Sequence, residues 1–148
     1  MAAASETARF LPFLEPGEES ALLAKAPVKS FACDQVVVEQ NVPLRTIFLI
    51  EDGSVRVERR ERGQLFPLAI LAAGEFFGEM SFVDGAPTSA RVVADEPTRL
   101  RVIDEAIVDD FTKNDPSFVG RLYRSIAAIL VERLRLTSMH ISLDKPQW

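Results

Sequence analysis

The chain has 148 residues, 47% of them hydrophobic and 26% charged, which is typical of one folded globular domain and excludes a disordered tail. Its formal net charge of −5 at pH 7 disfavours a nucleic-acid surface, which needs basic groups to hold phosphates. Cys33 is the single cysteine and no secretion signal opens the sequence, so we expect a cytoplasmic protein. No apolar stretch reaches the ~20 residues of a membrane helix, so we expect the chain not to cross a membrane.

The first predicted element is a short helix over residues 17–26, which Pro27 ends. From residue 28 to residue 104 the pattern changes to short runs of Val, Ile, Leu and Phe between turn residues, as in all-β sandwiches and barrels. Short loops such as Asp52-Gly53 favour antiparallel connections between these strands. The expected fold class is therefore mainly β, an antiparallel β-roll of the jelly-roll kind with helices at both ends.

Helical spacing follows the β region. One helix is expected over residues 105–113 and a longer one over residues 117–138, with a break at Pro116 between them. These elements complete a single domain over residues 1–138. Residues 139–148 contain a proline and no clear periodicity, so we expect them to form a C-terminal tail.

The long helix carries an apolar stripe at helical spacing, made of Leu122, Ile126, Ile129 and Leu130. Its charged residues lie largely on other faces. Because the two-fold dimer is the commonest assembly of soluble proteins, we expect this helix to form a homodimer or to bind a protein partner through the stripe.

Candidate catalytic and metal-binding groups are sparse. His140 is the only histidine and lies in the predicted tail, while Cys33 has apolar neighbours and no adjacent base. No Cys/His cluster has metal-ligand spacing, and no phosphate-binding Gly-x-x-x-x-Gly-Lys motif occurs. We therefore predict a protein that is not an enzyme and holds no metal or cofactor.

Residues 70–94 carry the clearest functional signal. This stretch leads out of a strand, opens a short helical turn at Gly78-Glu79 and returns into a strand. The free N–H groups of such a turn favour an anion, and Gly78 lets a ligand approach the backbone closely. The same residues would also serve as a plain crossing between strands, with Phe76 and Phe77 in the core, so the surrounding pattern has to decide.

Two motifs decide it. Phe77-Gly-Glu-Met-Ser-Phe is followed by Asp84-Gly-Ala-Pro, and Phe48-Leu-Ile-Glu-Asp-Gly-Ser-Val-Arg-Val precedes both. Together they resemble the phosphate-binding cassette and the strand-Gly-strand signature of the cyclic nucleotide-binding domain family, which includes catabolite-activator regulators and the regulatory subunits of cAMP-dependent kinase. The likeness covers residues 9–138 and implies a β-roll with a regulatory site for cAMP, cGMP or a related nucleotide.

The resemblance implies a nucleotide site formed by Gly78, Glu79, Met80, Ser81, Ser89 and Ala90. The first two residues would meet the ribose and its 2′-hydroxyl, and the backbone of the other four would surround the cyclic phosphate. Leu130 or Leu134 of the long helix would close over the base as a lid.

The cassette departs from the family at Thr88, where nucleotide-binding members usually have an arginine. Loss of a charge-assisted contact with a buried phosphate costs about 1.5–3 kcal/mol, which is roughly tenfold or more in affinity. Arg91 is a candidate replacement, because in an extended strand it shares a face with Ser89.

Two functional interpretations stay open. In the first, the chain is a stand-alone regulatory module that binds cAMP, cGMP or a related nucleotide weakly, and the ligand shifts the long helix. In the second, a degenerate β-roll without a ligand is a scaffold for protein interaction or dimerisation, and the missing arginine favours this interpretation. Too few residues follow residue 138 for a helix-turn-helix module, so we expect no direct contact with nucleic acid.

Overall fold

The computed structural model describes residues 10–144, with side chains to residue 136. The strands are β1 Val28–Phe31, β2 Val36–Val38, β3 Thr46–Asp52, β4 Ser54–Glu61, β5 Gln64–Ala72, β6 Phe76–Phe77, β7 Arg91–Ala94 and β8 Thr98–Asp104. The helices are α1 Glu18–Lys25, α2 Glu79–Asp84, α3 Glu105–Asn114 and α4 Phe118–Asp144.

The strands form two four-stranded sheets, ordered β1-β8-β3-β6 and β2-β7-β4-β5, in which every pairing is antiparallel. The predicted β-roll with flanking helices is therefore confirmed. No helix in the described part of the chain is both long enough and apolar enough to cross a bilayer.

Two apolar clusters hold the domain together. One lies between the sheets, because its buried residues come from both of them: Val38, Phe48, Ile50, Val55, Phe77, Val92, Leu100 and Val102. The other joins the first sheet to the helices, and Leu11, Leu22, Ile47, Ile103, Leu122 and Ile126 are among its members. Full burial of each such side chain stabilises the fold by about 1.5–3 kcal/mol relative to exposure.

The β3–β4 turn shows how one glycine shapes the roll. Gly53 has φ of 97°, and a Cβ there would lie 2.5 Å from the Pro97 carbonyl oxygen. An L-residue is disfavoured on both counts, because the positive φ strains it and the side chain has no room. The glycine therefore lets β4 turn back directly under the loop before β8.

The N-terminal segment and α4 are fastened to each other. Arg121 on α4 contacts the Glu18 carboxylate on α1 at 2.7 Å, and the Phe13 N–H donates to the Ser125 hydroxyl at 2.8 Å. The Arg124 guanidinium also lies 4.0 Å from the centre of the Phe13 ring. Polar, cation–π and apolar contacts thus join elements about a hundred residues apart.

Helix α4 departs from the sequence-based prediction in its length. It runs to Asp144, beyond the expected end at residue 138 and into the segment expected to be a tail. The physical reason is that no proline or glycine interrupts the chain between residue 121 and residue 145. Residues 145–148 lie outside the described residues.

The apolar stripe of α4 also has a different role from the one predicted. Leu122 and Ile126 are fully buried within the chain, and Ile129 and Leu130 pack against the same cluster. Because these side chains pack in the domain's own core, they are not available to form a dimer. The face of α4 that stays exposed is a different one.

Candidate functional site

A cavity of about 480 Å³ lies between the second sheet, the segment around α2 and the underside of α4. Its walls are largely apolar, with Val38, Leu44, Val57, Ala69, Leu71, Phe76, Phe77, Val92 and Leu136 among the residues that form them. This volume falls in the range of small-molecule sites, which is about 300–1,000 Å³.

Six of the residues predicted from the cassette line this cavity: Gly78, Glu79, Met80, Ser81, Ser89 and Ala90. Gly78 has φ of 89°, and a Cβ there would clash with the Thr46 carbonyl oxygen. Glycine is therefore required where β6 turns into α2. Ser81 is buried, whereas Met80 is 57% exposed at the mouth of the cavity.

Glu79 is the buried acid of the site. Its side chain is 5% exposed, and its Oε1 atom has no hydrogen-bond partner among the described residues. Burial raises the pKa of Glu79, against the lowering effects of its own backbone N–H and of the Arg133 cation. A buried carboxylate oxygen without a partner is costly, so a donor group on a ligand would be bound favourably here.

Thr88 lines the same cavity, but its hydroxyl is already engaged. The hydroxyl donates to the Glu39 carbonyl oxygen at 2.6 Å and accepts from the Val42 N–H at 3.0 Å. Its backbone N–H donates to the Val42 carbonyl at 2.9 Å and its carbonyl accepts from the Asn41 N–H at 2.7 Å. Thr88 therefore ties the cassette to the loop before β3, and its place among the ligand-binding residues stays a prediction.

Residues 39–42 form what we call the strap, which Thr88 holds from one side. On the other side the Gln40 side-chain amide donates to the Arg60 carbonyl at 3.2 Å and accepts from the Arg60 N–H at 2.8 Å. The strap thus bridges the cassette and β4 through six hydrogen bonds. The Gln40 amide thus pairs with the backbone of β4 at Arg60, beyond the point where β7 pairs with that strand.

Arg91, the candidate replacement for the missing arginine, is not among the residues that line the cavity. Its Nε atom lies 3.9 Å from Oε1 of Glu58, which is the residue opposite it on β4. The next residue, Val92, points into the cavity instead. Since successive side chains of a strand point to opposite faces, the register of β7 sends Arg91 to the outer face of the sheet.

Neither of the two predicted lid residues lines the cavity. Leu134 is 66% exposed and Leu130 packs on the helical cluster, while Arg133 and Leu136 are the α4 residues that line the cavity. The reason is helical geometry, because residues 122, 126, 129, 133 and 136 share one face. Extending the buried stripe by this spacing was the signal that could have found Arg133.

Arg133 brings α4 into contact with the cavity floor. Its guanidinium lies 3.9 Å from carboxylate oxygens of both Glu75 and Glu79 and 5.3 Å from the centre of the Phe76 ring. It also donates to the Phe76 carbonyl at 3.4 Å. The C-terminal helix is therefore coupled electrostatically to the buried acid of the site.

Arg45 fixes the far end of α2. Its guanidinium donates to the Phe82 carbonyl at 2.8 Å and contacts the Glu105 carboxylate at 2.6 Å. A cation on the last carbonyls of a helix is favourable, because those groups have no partner within the helix. Sequence analysis missed this residue, since an arginine before a strand carries no distinguishing signal.

Comparisons with known proteins agree with this geometry. Residues 28–115, more than half of the chain, match the family model of the cyclic nucleotide-binding domain. The chain is 31% identical over 115 residues to a cyclic GMP-binding protein C of Dictyostelium discoideum, covering 77% of this chain and 4% of that protein. It is 34% identical over 103 residues to the cyclic AMP receptor protein of Thermus thermophilus, covering 67% of this chain and 44% of that protein.

A solved structure of the Thermus thermophilus catabolite activator protein superposes with a TM-score of 0.75 at 27% identity, over 90% of this chain and 62% of that one. The chain thus spans less than two thirds of each of these longer relatives. Domains of this kind are regulatory rather than catalytic. The family match and the fold lead to one conclusion: this chain belongs to the cyclic nucleotide-binding domain family.

Proposed function

We propose that this chain is a regulatory module that binds a nucleotide-type small molecule in the cavity and passes its occupancy on to helix α4. The observation that carries the proposal is the position of Glu79, a buried acid with an unpartnered oxygen that faces both the cavity and Arg133 of α4. The family and the names of its relatives support cAMP, cGMP or a related nucleotide as the ligand.

The coupling follows from competition for one carboxylate. A ligand hydroxyl that donates to Glu79 changes the electrostatic environment of the Arg133 guanidinium, which now lies 3.9 Å from that group. Because the same guanidinium is carried by α4, the helix has a different free energy in the free and bound states. Such a difference is what a ligand needs in order to shift a conformational equilibrium.

Calorimetric titration with cAMP, cGMP and cyclic dinucleotides tests the proposal. We expect binding to at least one of them, with weak affinity because Thr88 offers no free donor to a phosphate. Glu79→Ala should remove that binding, and hydrogen exchange of α4 amides should change on ligand addition in the parent chain alone. A folded protein that binds neither these compounds nor the corresponding nucleosides would contradict the ligand-binding function.

The scaffold interpretation has its own supporting observation, on the outer face of α4. Tyr123, Ala127, Val131 and Leu134 recur there at spacings of four, four and three, and all four are exposed. A second copy of the chain is the partner that suits this apolar face, since two identical helices can pack against each other symmetrically.

The exposed free thiol of Cys33 fits a reducing, cytoplasmic location.

Sedimentation velocity distinguishes the dimer from a monomer. We expect a dimer at micromolar concentration that Leu134→Glu converts to monomer, whereas Leu65→Glu, at another exposed leucine on β5, should leave it intact. A monomer in the parent chain would contradict the dimer and leave the ligand-binding proposal standing.

A further inference from the structure

The charges around the cavity have an unusual balance for a site that receives a nucleotide anion. Among the described residues that line it, the charged ones are Glu75, Glu79 and Arg133. Two carboxylates and one guanidinium give a formal charge of −1. The remaining lining residues are uncharged, and most of them are apolar.

The single lining cation is poorly placed to receive a phosphate. Arg133 lies between Glu75 and Glu79 at 3.9 Å from each, so its charge is already balanced by carboxylates. At the other end of the cassette, the Thr88 hydroxyl is bonded to Glu39 and Val42 of the strap. An anion that leaves water for this cavity would therefore lose its hydration without gaining a free cation.

The unpartnered polar atom of the cavity is a hydrogen-bond acceptor, so it favours a ligand that carries a hydrogen-bond donor. Oε1 of Glu79 is buried and lacks a hydrogen-bond partner among the described residues. An ionised carboxylate accepts hydrogen bonds and cannot donate them. A hydroxyl or N–H group satisfies it without bringing a negative charge. The apolar walls and the volume of about 480 Å³ suit a flat organic body attached to that donor.

We propose that the cavity prefers an uncharged, hydroxyl-bearing ligand of the ribonucleoside class over the corresponding cyclic monophosphate. This inference rests on the proposed function, because it assumes that a ribose and base occupy the same cavity. It goes further, because a cassette with a phosphate-binding guanidinium would prefer the cyclic nucleotide to the nucleoside, and we expect the opposite order here.

Matched pairs of probes isolate the phosphate, since adenosine and cAMP differ by it, as do guanosine and cGMP. We expect calorimetry on the full chain to give, for at least one pair, a nucleoside affinity equal to or greater than that of the cyclic nucleotide. If cAMP or cGMP binds about tenfold or more tightly than its nucleoside, this inference fails and the proposed function stands. If no probe of either kind binds to the folded chain, both fail.

Charge variants test the cause. Glu75→Gln removes a wall carboxylate and should tighten cAMP binding by about threefold or more while changing adenosine binding by less than about twofold. Glu61→Gln, which removes the same charge at the exposed β4–β5 turn, is the matched control and should affect neither probe. Thermal unfolding verifies that both variants are folded. An equal response of cAMP and adenosine to Glu75→Gln would overturn the electrostatic argument.

Discussion

The two ends of the cassette differ in how far they keep the family's ligand-binding residues. At Gly78 and Glu79 the backbone turn and the buried acid of the family pattern are retained, and both face the cavity. At Thr88 and Arg91 the polar groups are turned to internal contacts, with the strap in one case and with Glu58 in the other. The difference teaches that a ligand-binding fold can keep one half of its recognition chemistry while converting the other half into structure.

The largest effect is expected at the retained end, from Gly78→Ala. The substitution places a Cβ against the Thr46 carbonyl at a φ of 89°, so we expect a loss of about 2–5 kcal/mol in the free energy of unfolding. Urea denaturation measures it. Gly85→Ala is the matched control, because Gly85 has φ of 72° but open space around it, and should cost only about 1 kcal/mol. Equal losses in the two variants would show that the close approach to Thr46 is unimportant.

At the converted end, Thr88→Val sharpens the comparison. It keeps the shape of the side chain but removes the two hydroxyl hydrogen bonds to the strap, so we expect a loss of about 1–3 kcal/mol in the free energy of unfolding. Thr88→Ser retains the hydroxyl and should lose less than about 1 kcal/mol. A valine variant as stable as the parent chain would mean that the strap does not depend on this residue.

Glu79 gives the retained end a pH signature. Burial raises its folded pKa above the ordinary 4.5, so the native state keeps the proton to a higher pH than the unfolded chain does. The contribution of this group to the free energy of unfolding therefore falls as the pH rises from 4.5 through the raised folded pKa. Glu79→Gln removes this dependence, so urea titrations should show the variant gaining stability relative to the parent chain across that interval. A constant difference between the two would contradict the burial effect.

The smallest effect on ligand binding is expected from Arg91→Ala. Because the Arg91 side chain faces Glu58 on the outer side of the sheet, its removal should change the affinity for any bound nucleotide or nucleoside by less than about twofold. Calorimetry of the variant measures this. A large loss of affinity would mean that Arg91 reaches the ligand and that both ends of the cassette take part in binding.

Much of the fold could be predicted from sequence because its signals are local. Short apolar runs between turn residues gave the β-roll, and the motif at Gly78-Glu79 is read within a few residues. Thr88 could be recognised as a departure in the same way. Its new partners could not, because the strap residues Glu39 and Val42 lie more than forty positions away and form no pattern with it.

The register of side chains was harder to predict than the elements that carry them. Strand spacing places Arg91 beside the cavity and the resemblance places Leu134 over it, but Arg91 lies on the opposite face of the correct strand and Leu134 on an exposed face of the correct helix. A strand turns its side chains by half a revolution per residue, so the choice of face depends on pairing, which the sequence does not state. Arg133 was missed for the related reason that a charged residue within an apolar stripe is usually taken to be at the surface.

The bonds that fasten the segment around α1 to α4 couple the two elements mechanically. Glu18 and Phe13 are held by Arg121 and Ser125, while Arg133 lies farther along the same helix, at the cavity floor. A tilt of α4 about the cavity would therefore carry the start of the domain with it. A displacement of the helix on ligand binding would thus be transmitted to α1 as well as along α4, in two directions at once.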